Sequence, residues 1–447
     1  MTLEKRSLTV LAEALAELER GFDGLPPHDA ELSDAELGRL RTVLLELARL
    51  LHDNFPYPHP LYAGQMLTPP HPVARTAYAL AQWINPNNHA LDGGRATSAL
   101  EKEAVGEIAA MFGWREHLGH VTSGGTMANL EALWVAGRLA PGKTILASAQ
   151  AHYTHTRLAE VLGLAFESVP ADALGRMDAR ALEARLARGG IGMVVATLGT
   201  TSTGSVDPLP RVLELARRHG ARVHVDAAYG GYFTLAANLE PHARAACDAL
   251  AQADSIAIDP HKHGLQPYGC GAILFREPAV GRFYKHDSPY TYFSSGELHL
   301  GEITLECSRA GAASAALWAT QRLFPLVPGG PFARGLESCL RAARALHRHL
   351  ARDPRWRAAL EPELDIVVWA PREKSASATS ARSRQLFEAA ARRNLHLALA
   401  TLPRALLEPH WAGIEWDAAG ATVLRSCLLK PEHEAWIGKI TAILDGL

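Results

Sequence analysis

The sequence predicts an α/β protein, with a mostly parallel sheet in a large unit followed by a smaller C-terminal α+β unit. Three observations predict it. From residue 69 onward the hydrophobic pattern alternates between helical and strand periods, the signature of a parallel sheet covered by helices on both faces. Two of the apolar strand segments, Arg222-Val-His-Val-Asp226 and Ser255-Ile-Ala-Ile258, lead directly into charged residues, Asp226 and, four residues past Ile258, Lys262. Ligands of open α/β sheets gather at those carboxyl ends. Finally, Leu323-Phe-Pro-Leu-Val-Pro-Gly-Gly330 interrupts the alternation and a different order of elements follows. At 447 residues the chain is long enough for one large and one smaller core. The expected division is an N-terminal helical arm and linker over 1–65, a large unit over 66–325 and a small unit over 326–447.

The elements follow in order. Residues 8–18 and 34–51 carry helical periodicity, the second behind a Ser33 cap signal. The Pro-rich run Phe55-Pro-Tyr-Pro-His-Pro60 ends them as an extended linker. Such an amphipathic pair has no core of its own, so it is expected to pack on a partner subunit. Helices are expected at 73–83, 98–111, 126–138, 179–187 and 210–219, and strands at 144–147, 193–197, 222–226, 255–258 and 272–275. The second unit is expected as helix 332–352, strand 364–369, helix 380–392, strands 396–401 and 421–429, and a last helix from 431.

Composition narrows the function. A net charge of −2 offers no basic field for nucleic acid. The apolar stretch 8–18 is broken by Glu13 and Glu17, so neither a secretory leader nor a membrane span is expected. Five cysteines without CxxC spacing point to reduced thiols and a cytoplasmic location. His152-x-x-His155 has the spacing of a metal pair, but no third ligand accompanies it and no metal is assigned.

The candidate chemistry lies at the strand ends. A lysine following an apolar strand, Lys262, is poorly solvated; desolvation is expected to lower its pKa and favour the neutral amine that a Schiff base needs. Asp226, after the preceding strand, places a carboxylate among small residues. An amine for an aldehyde and a carboxylate for a pyridinium nitrogen are the two groups that pyridoxal 5′-phosphate (PLP) chemistry requires of a protein. Thr122-Ser-Gly-Gly125-Thr126-Met-Ala-Asn129 precedes an apolar helix, whose free N–H groups and dipole suit a phosphate, through Gly125 and Thr126 especially.

In His224-Val-Asp-Ala-Ala228 and Asp259-Pro-His-Lys262, and over the span from about Tyr62 to the C-terminus, the chain resembles the group II PLP-dependent amino-acid decarboxylases. The family includes the glutamate, aromatic amino-acid, tyrosine and histidine enzymes. The resemblance implies the fold type I PLP architecture, a homodimer with active sites at the subunit interface, and release of CO₂ and a primary amine from a small amino-acid substrate. It implies that Lys262 binds the cofactor aldehyde, that Asp226 holds the pyridine nitrogen, and that His152 stacks on the ring. Gly125, Thr126, Thr201, Ala228, Ser255 and His261 are the further cofactor contacts it implies. Tyr290 matches the family's proton donor, with Tyr292 as the alternative. Gln65 and Leu67 match a pocket wall, His89 a segment supplied by the partner, and Arg425 an arginine that binds the substrate α-carboxylate. Asp207 is expected to cap the helix after it. The pocket entrance leans toward an aromatic, tyrosine-like substrate. Arg75, Arg95 and Arg309 leave glutamate or aspartate open, and aldehyde synthesis, retro-aldol cleavage and transamination are the alternative reactions. His263 stands where relatives carry an aromatic or other bulky residue, and is expected to alter the phosphate site or the substrate end of the pocket.

Overall fold

The computed structural model describes residues 3–26, 28, 31–91, 93–285 and 303–447. Among these residues two sheets organise the chain. Strands β1 (Leu118–Thr122), β2 (Thr144–Ser148), β3 (Phe166–Val169), β4 (Ile191–Thr197), β5 (Arg222–Asp226), β6 (Ser255–Ile258) and β7 (Gly271–Phe275) form the first, in the order β1-β7-β6-β5-β4-β2-β3. Neighbours from β3 to β6 pair parallel, and β7 runs antiparallel between β6 and β1. Strands β8 (Trp356–Ala358), β9 (Ile366–Pro371), β10 (Ala398–Pro403) and β11 (Gly420–Cys427) form a smaller antiparallel sheet in the order β10-β11-β9-β8. This is the mixed α/β architecture the sequence predicts.

Burial explains the large sheet. Every residue of β4 is buried, as expected for a central strand with helices on both faces. The helix Leu209–Arg218 buries Leu209, Val212, Leu213, Leu215 and Ala216 and turns Arg217 and Arg218 outward, a 3.6-residue stripe. Parallel register then aligns the strand ends: Thr197 pairs with Asp226, and Asp226 with Ala257. The chain leaves β4, β5 and β6 along one edge, and the candidate residues leave with it.

Two differences from expectation have local causes. Strand β1 was not expected, because Gly119 and His120 interrupt its apolar pattern; pairing with β7 supplies what propensity does not. Strand β9 starts at Ile366 rather than 364, since Asp365 is drawn into a side-chain network.

The N-terminal helices are built differently. Helix Asp34–Leu50 has the expected cap as a full capping box, with Ser33 Oγ accepting from the Glu36 amide and Glu36 Oε2 from the Ser33 amide. Yet neither it nor helix Ser7–Arg20 buries a residue. The linker that follows is tied to the small sheet: Ala63 N–H donates to His396 O, and Cys427 N–H to Ala63 O, both at 2.8 Å.

Candidate active site

A cleft of about 330 Å³ opens at the carboxyl edge of β4, β5 and β6. Gly125, Thr126, His152, Thr201, Asp226, Ala228, His261 and Lys262 all line it. Segments far apart in sequence meet here because the parallel strands end together and each following turn folds back over the edge.

Asp226 is the most tightly held of them. Its Oδ2 lies 2.9 Å from His155 Nε2 and 3.4 Å from Asn129 Nδ2, and its Oδ1 accepts the Ala228 N–H at 3.1 Å. Burial alone would raise its pKa. The His155 hydrogen bond and the nearby Lys262 ammonium outweigh that and hold the carboxyl well below the usual range. The support extends inward: Asn129 Oδ1 meets His224 Nε2 at 2.8 Å, and His224 Nδ1 meets Ser255 Oγ at 2.9 Å. Burial pushes His224 down to about 3, so it stays a neutral link in that chain.

Lys262 departs from the sequence expectation. Burial pulls its ammonium down, but Asp259 Oδ2 at 3.0 Å and, behind it, Asp226 more than offset this, and the net shift is upward. The amine is thus stored as one half of an ion pair. Asp259 also lies beneath the glycine turn, where a Cβ on Gly125 would come within 2.7 Å of its Oδ2. From the other side, a Cβ on Gly271 would sit 2.5 Å from the Gly124 carbonyl carbon. Glycine at both positions lets the turn settle between β7 and Asp259. It also leaves the first N–H groups of helix Gly125–Leu139, which have no acceptors within the helix, at the cleft.

His152 lines the cleft wall, and burial lowers its pKa, so the ring is neutral at pH 7. His261 is fixed by Nδ1 at 2.8 Å from Cys270 O. Thr201 is fixed through its carbonyl, which accepts Arg425 Nη1 at 2.6 Å.

Other sequence-derived residues fall elsewhere. Ser255, expected as a cofactor contact, is buried against His224 and is not among the residues lining the cleft; it sits at the far end of the chain supporting Asp226. Asp207 does not cap its helix but accepts the amides of Met177 and Thr197 at 2.6 and 2.7 Å. Arg425 stands behind the wall, against Thr201. Gln65, Leu67 and His89 do not line the cleft of the protomer, whereas Met66 does. Arg309 is committed to the buried Glu101, Nη1 to Oε1 at 2.5 Å. Tyr290 and Tyr292 lie outside the described residues. His263 enters neither the phosphate turn nor the cleft; it points into the protein toward Asp365.

Sequence reading missed His155, Asn129 and Asp259 as members of the site. Of the His152-x-x-His155 pair, His155 meets the Asp226 carboxylate and His152 lines the cleft.

The residues present fit PLP: a primary amine, an ionised carboxylate and a glycine cradle at a helix N-terminus face one cleft. Comparison with known proteins points the same way. A family model described as the pyridoxal-dependent decarboxylase conserved domain matches residues 134–371. A probable L-tyrosine/L-aspartate decarboxylase of Methanoculleus marisnigri is 32% identical over 255 residues, 57% of this chain and 67% of that protein. The cysteine sulfinic acid decarboxylase of Mus musculus is 29% identical over 379 residues, 77% of this chain and 74% of that one. The crystal structure of Oryza sativa TDC with PLP and tryptamine shares the fold, with a TM-score of 0.76 at 18% identity over 99% of both chains.

Proposed function

The chain belongs to the pyridoxal-dependent decarboxylase family and is a PLP-dependent carboxy-lyase acting on an amino acid, and on that premise we propose that its substrate carries an aromatic, tyrosine-like side chain. What supports this is the fate of the arginines available for a second carboxylate. Arg309 is locked to Glu101, Arg75 faces Glu4 at 3.5 Å, and Arg95 is exposed. Among the described lining residues Lys262 is the one lysine or arginine, and Asp226 and Asp259 already surround it. A second carboxylate there would meet like charge, while an aromatic ring meets Met66 and Tyr229. The acidic reading rests on the relatives named for aspartate and cysteine sulfinic acid. Measuring CO₂ release from each of the twenty amino acids and cysteine sulfinate decides between them. Tyrosine or tryptophan should lead the acidic substrates by about tenfold or more in kcat/KM, equal to about 1.4 kcal/mol. The reverse ranking would overturn the aromatic reading and leave the carboxy-lyase intact.

Lys262, Asp226, His152, Gly125, Thr126, Thr201, Ala228 and His261 would hold the cofactor. When bound, PLP supplies an electron sink for the pair left at Cα as CO₂ departs. Lys262 would hold the aldehyde end of the cofactor through Nζ once its ammonium has given up a proton, for which Asp259 Oδ2 at 3.0 Å is the nearest carboxylate. Asp226, kept ionised by His155, would hold a proton on the pyridine nitrogen. The neutral His152 ring covers one face of the site and excludes water from it. Tyr290, with Tyr292 as the alternative, is the proposed proton source for Cα. Tyr290→Phe should therefore lower amine output and, where dioxygen takes the two electrons left at Cα and is reduced to hydrogen peroxide, raise aldehyde, ammonia and peroxide together. Amine formed at the wild-type rate by both phenylalanine variants would remove that role.

The same proposal includes a homodimer. The exposed Leu37, Leu40, Val43, Leu44, Leu47 and Leu50 on helix Asp34–Leu50 support it. Fully burying such a side chain contributes about 1.5–3 kcal/mol, so the row has a strong drive to find a cover. Gln65, Leu67 and His89 would then belong to a substrate pocket completed by the partner, with Arg425 behind Thr201 at its carboxylate end. The division at 1–65, 66–325 and 326–447 follows the same reading, with the arm serving assembly. The cysteines Cys247, Cys270, Cys307, Cys339 and Cys427 are all unpaired, which supports a reducing, cytoplasmic setting. Among the described residues no helix is long and apolar enough to cross a membrane.

A further inference from the structure

Lys262 and His263 are adjacent, but their side chains leave the turn in opposite directions. Lys262 enters the cleft. His263, 3% exposed, turns inward, where its Nε2 lies 2.8 Å from Asp365 Oδ2. Tyr229 donates its hydroxyl to the other oxygen, Oδ1, at 2.5 Å. The rings of Tyr229 and Phe233 stand edge-on to His263, with centroids 4.6 and 4.8 Å away. Asp365 is fully buried and immediately precedes β9 of the small sheet. One carboxylate from the C-terminal part of the chain therefore receives both turns that carry the chemistry: Asp226-Ala-Ala-Tyr229 after β5, and Lys262-His263 after β6.

The second turn needs such a hold. Leu265 adopts φ of 63°, in the left-handed region that a bulky residue rarely enters. A Cβ on Gly264 would lie 2.7 Å from both Pro260 Cα and the Tyr232 hydroxyl. The His71 amide donates to Leu265 O at 3.0 Å, and Gln266 Nε2 donates to Gly264 O at 3.1 Å and to Thr320 Oγ1 at 2.8 Å. Strain of this kind persists only where surrounding contacts over-determine the conformation. Of these holds, the His263–Asp365 contact is the one that also reaches the Asp226 turn.

We propose that Asp365, acting through His263 and Tyr229, is a positioning residue that sets the Lys262 turn against the Asp226 turn and so ties the seating of the small sheet to the geometry of the cleft. The role is mechanical. It rests on the assignment of Lys262 and Asp226 above, but not on the identity of the substrate.

The test uses the PLP-loaded enzyme and the variants His263→Leu, His263→Gln, Asp365→Asn and His263→Leu/Asp365→Asn. A misplaced reacting group costs on the order of 10- to 100-fold in kcat, and that loss is expected for His263→Leu with KM within about threefold of wild type. The visible circular dichroism of the bound cofactor should change with it, because the amine's orientation has moved. His263→Gln, which keeps a donor for Asp365, should recover most of both signals. The double variant should be no slower than the worse single one, since both changes break the same link. If His263→Leu lowers only Tm, leaving kcat and the cofactor dichroism unchanged, the network is structural and the proposal fails. Should Asp365→Asn not fold, the Leu and Gln variants at His263 still decide the matter. Lys262→Ala is run alongside: a cofactor spectrum that survives it unchanged would mean that the Lys262 assignment has failed rather than the positioning role.

Discussion

The cleft and the N-terminal helices break the same rule in opposite directions. At the cleft, groups that belong in water are buried: Asp226 and Asp259 are 6% and 3% exposed, and His155 is fully covered. On helix Asp34–Leu50, groups that belong in a core face solvent, from Leu37 through Leu50. Burying a charge is costly unless it is paired, and the cleft carboxylates are paired, with His155 and with Lys262. Leaving a row of leucines exposed is equally unusual for an isolated chain. The first departure marks a place where chemistry needs charge away from water. The second is the surface on which the proposed homodimer rests.

That contrast can be broken by experiment, starting where the effect is largest. Lys262→Ala should reduce decarboxylation by about 10⁴-fold, since no other described lysine or arginine lines the cleft. The variant should remain folded and dimeric, as judged by its melting temperature and by light scattering. A variant that instead loses its fold would make Lys262 a structural residue. Asp226→Ala comes next, with an expected loss of about 10²–10³-fold in kcat, the typical cost of removing a preorganised charge partner. Turnover within about tenfold of wild type, about 1.4 kcal/mol of barrier, would defeat its role.

Deleting residues 1–54 tests the other half. It should convert dimer to monomer in light scattering and lower activity, and the melting temperature should fall by no more than the lost interface contributed, because within one protomer neither helix buries a residue. A truncated protein that stays dimeric and fully active would detach the exposed leucines from assembly.

The smallest effect separates buried charge that does chemistry from buried charge that does not. Asp207 is fully buried away from the cleft, and burial raises its pKa to about 7. The folded state then keeps this proton to near neutrality, while the unfolded chain releases it near 4. Stability should therefore fall as pH rises from about 4 to 7, by the linkage between proton binding and folding. Asp207→Asn should flatten that slope in thermal melts without changing kcat. An unchanged slope would show that Asp207 does not titrate in this range.

How much of this was legible in the sequence depended on range. Strands β5 and β6 match their sequence expectation residue for residue, because apolar β-branched runs ending in charge are a local signal. Asp226 and Lys262 could be found because each follows such a run. For Ser255 the sequence shows only a position along a strand, not the buried neighbour its side chain meets, which in the fold is His224. Asp365 gave no sign at all: its partners lie 136 and 102 residues upstream, and only the packed fold brings them to one carboxylate. The direction of the Lys262 shift was misjudged for the same reason. Burial is visible from an apolar strand, whereas a carboxylate at 3.0 Å must be seen in three dimensions.

The central claim is that Lys262 is the amine that holds the cofactor, and reduction of the PLP-loaded protein with borohydride tests it most directly. Reduction fixes the cofactor to whichever lysine carries it, and peptide mapping then locates the label. The account predicts one labelled peptide, containing Lys262, and no label in Lys262→Ala. A label on another lysine, or none in the wild-type protein, would contradict it.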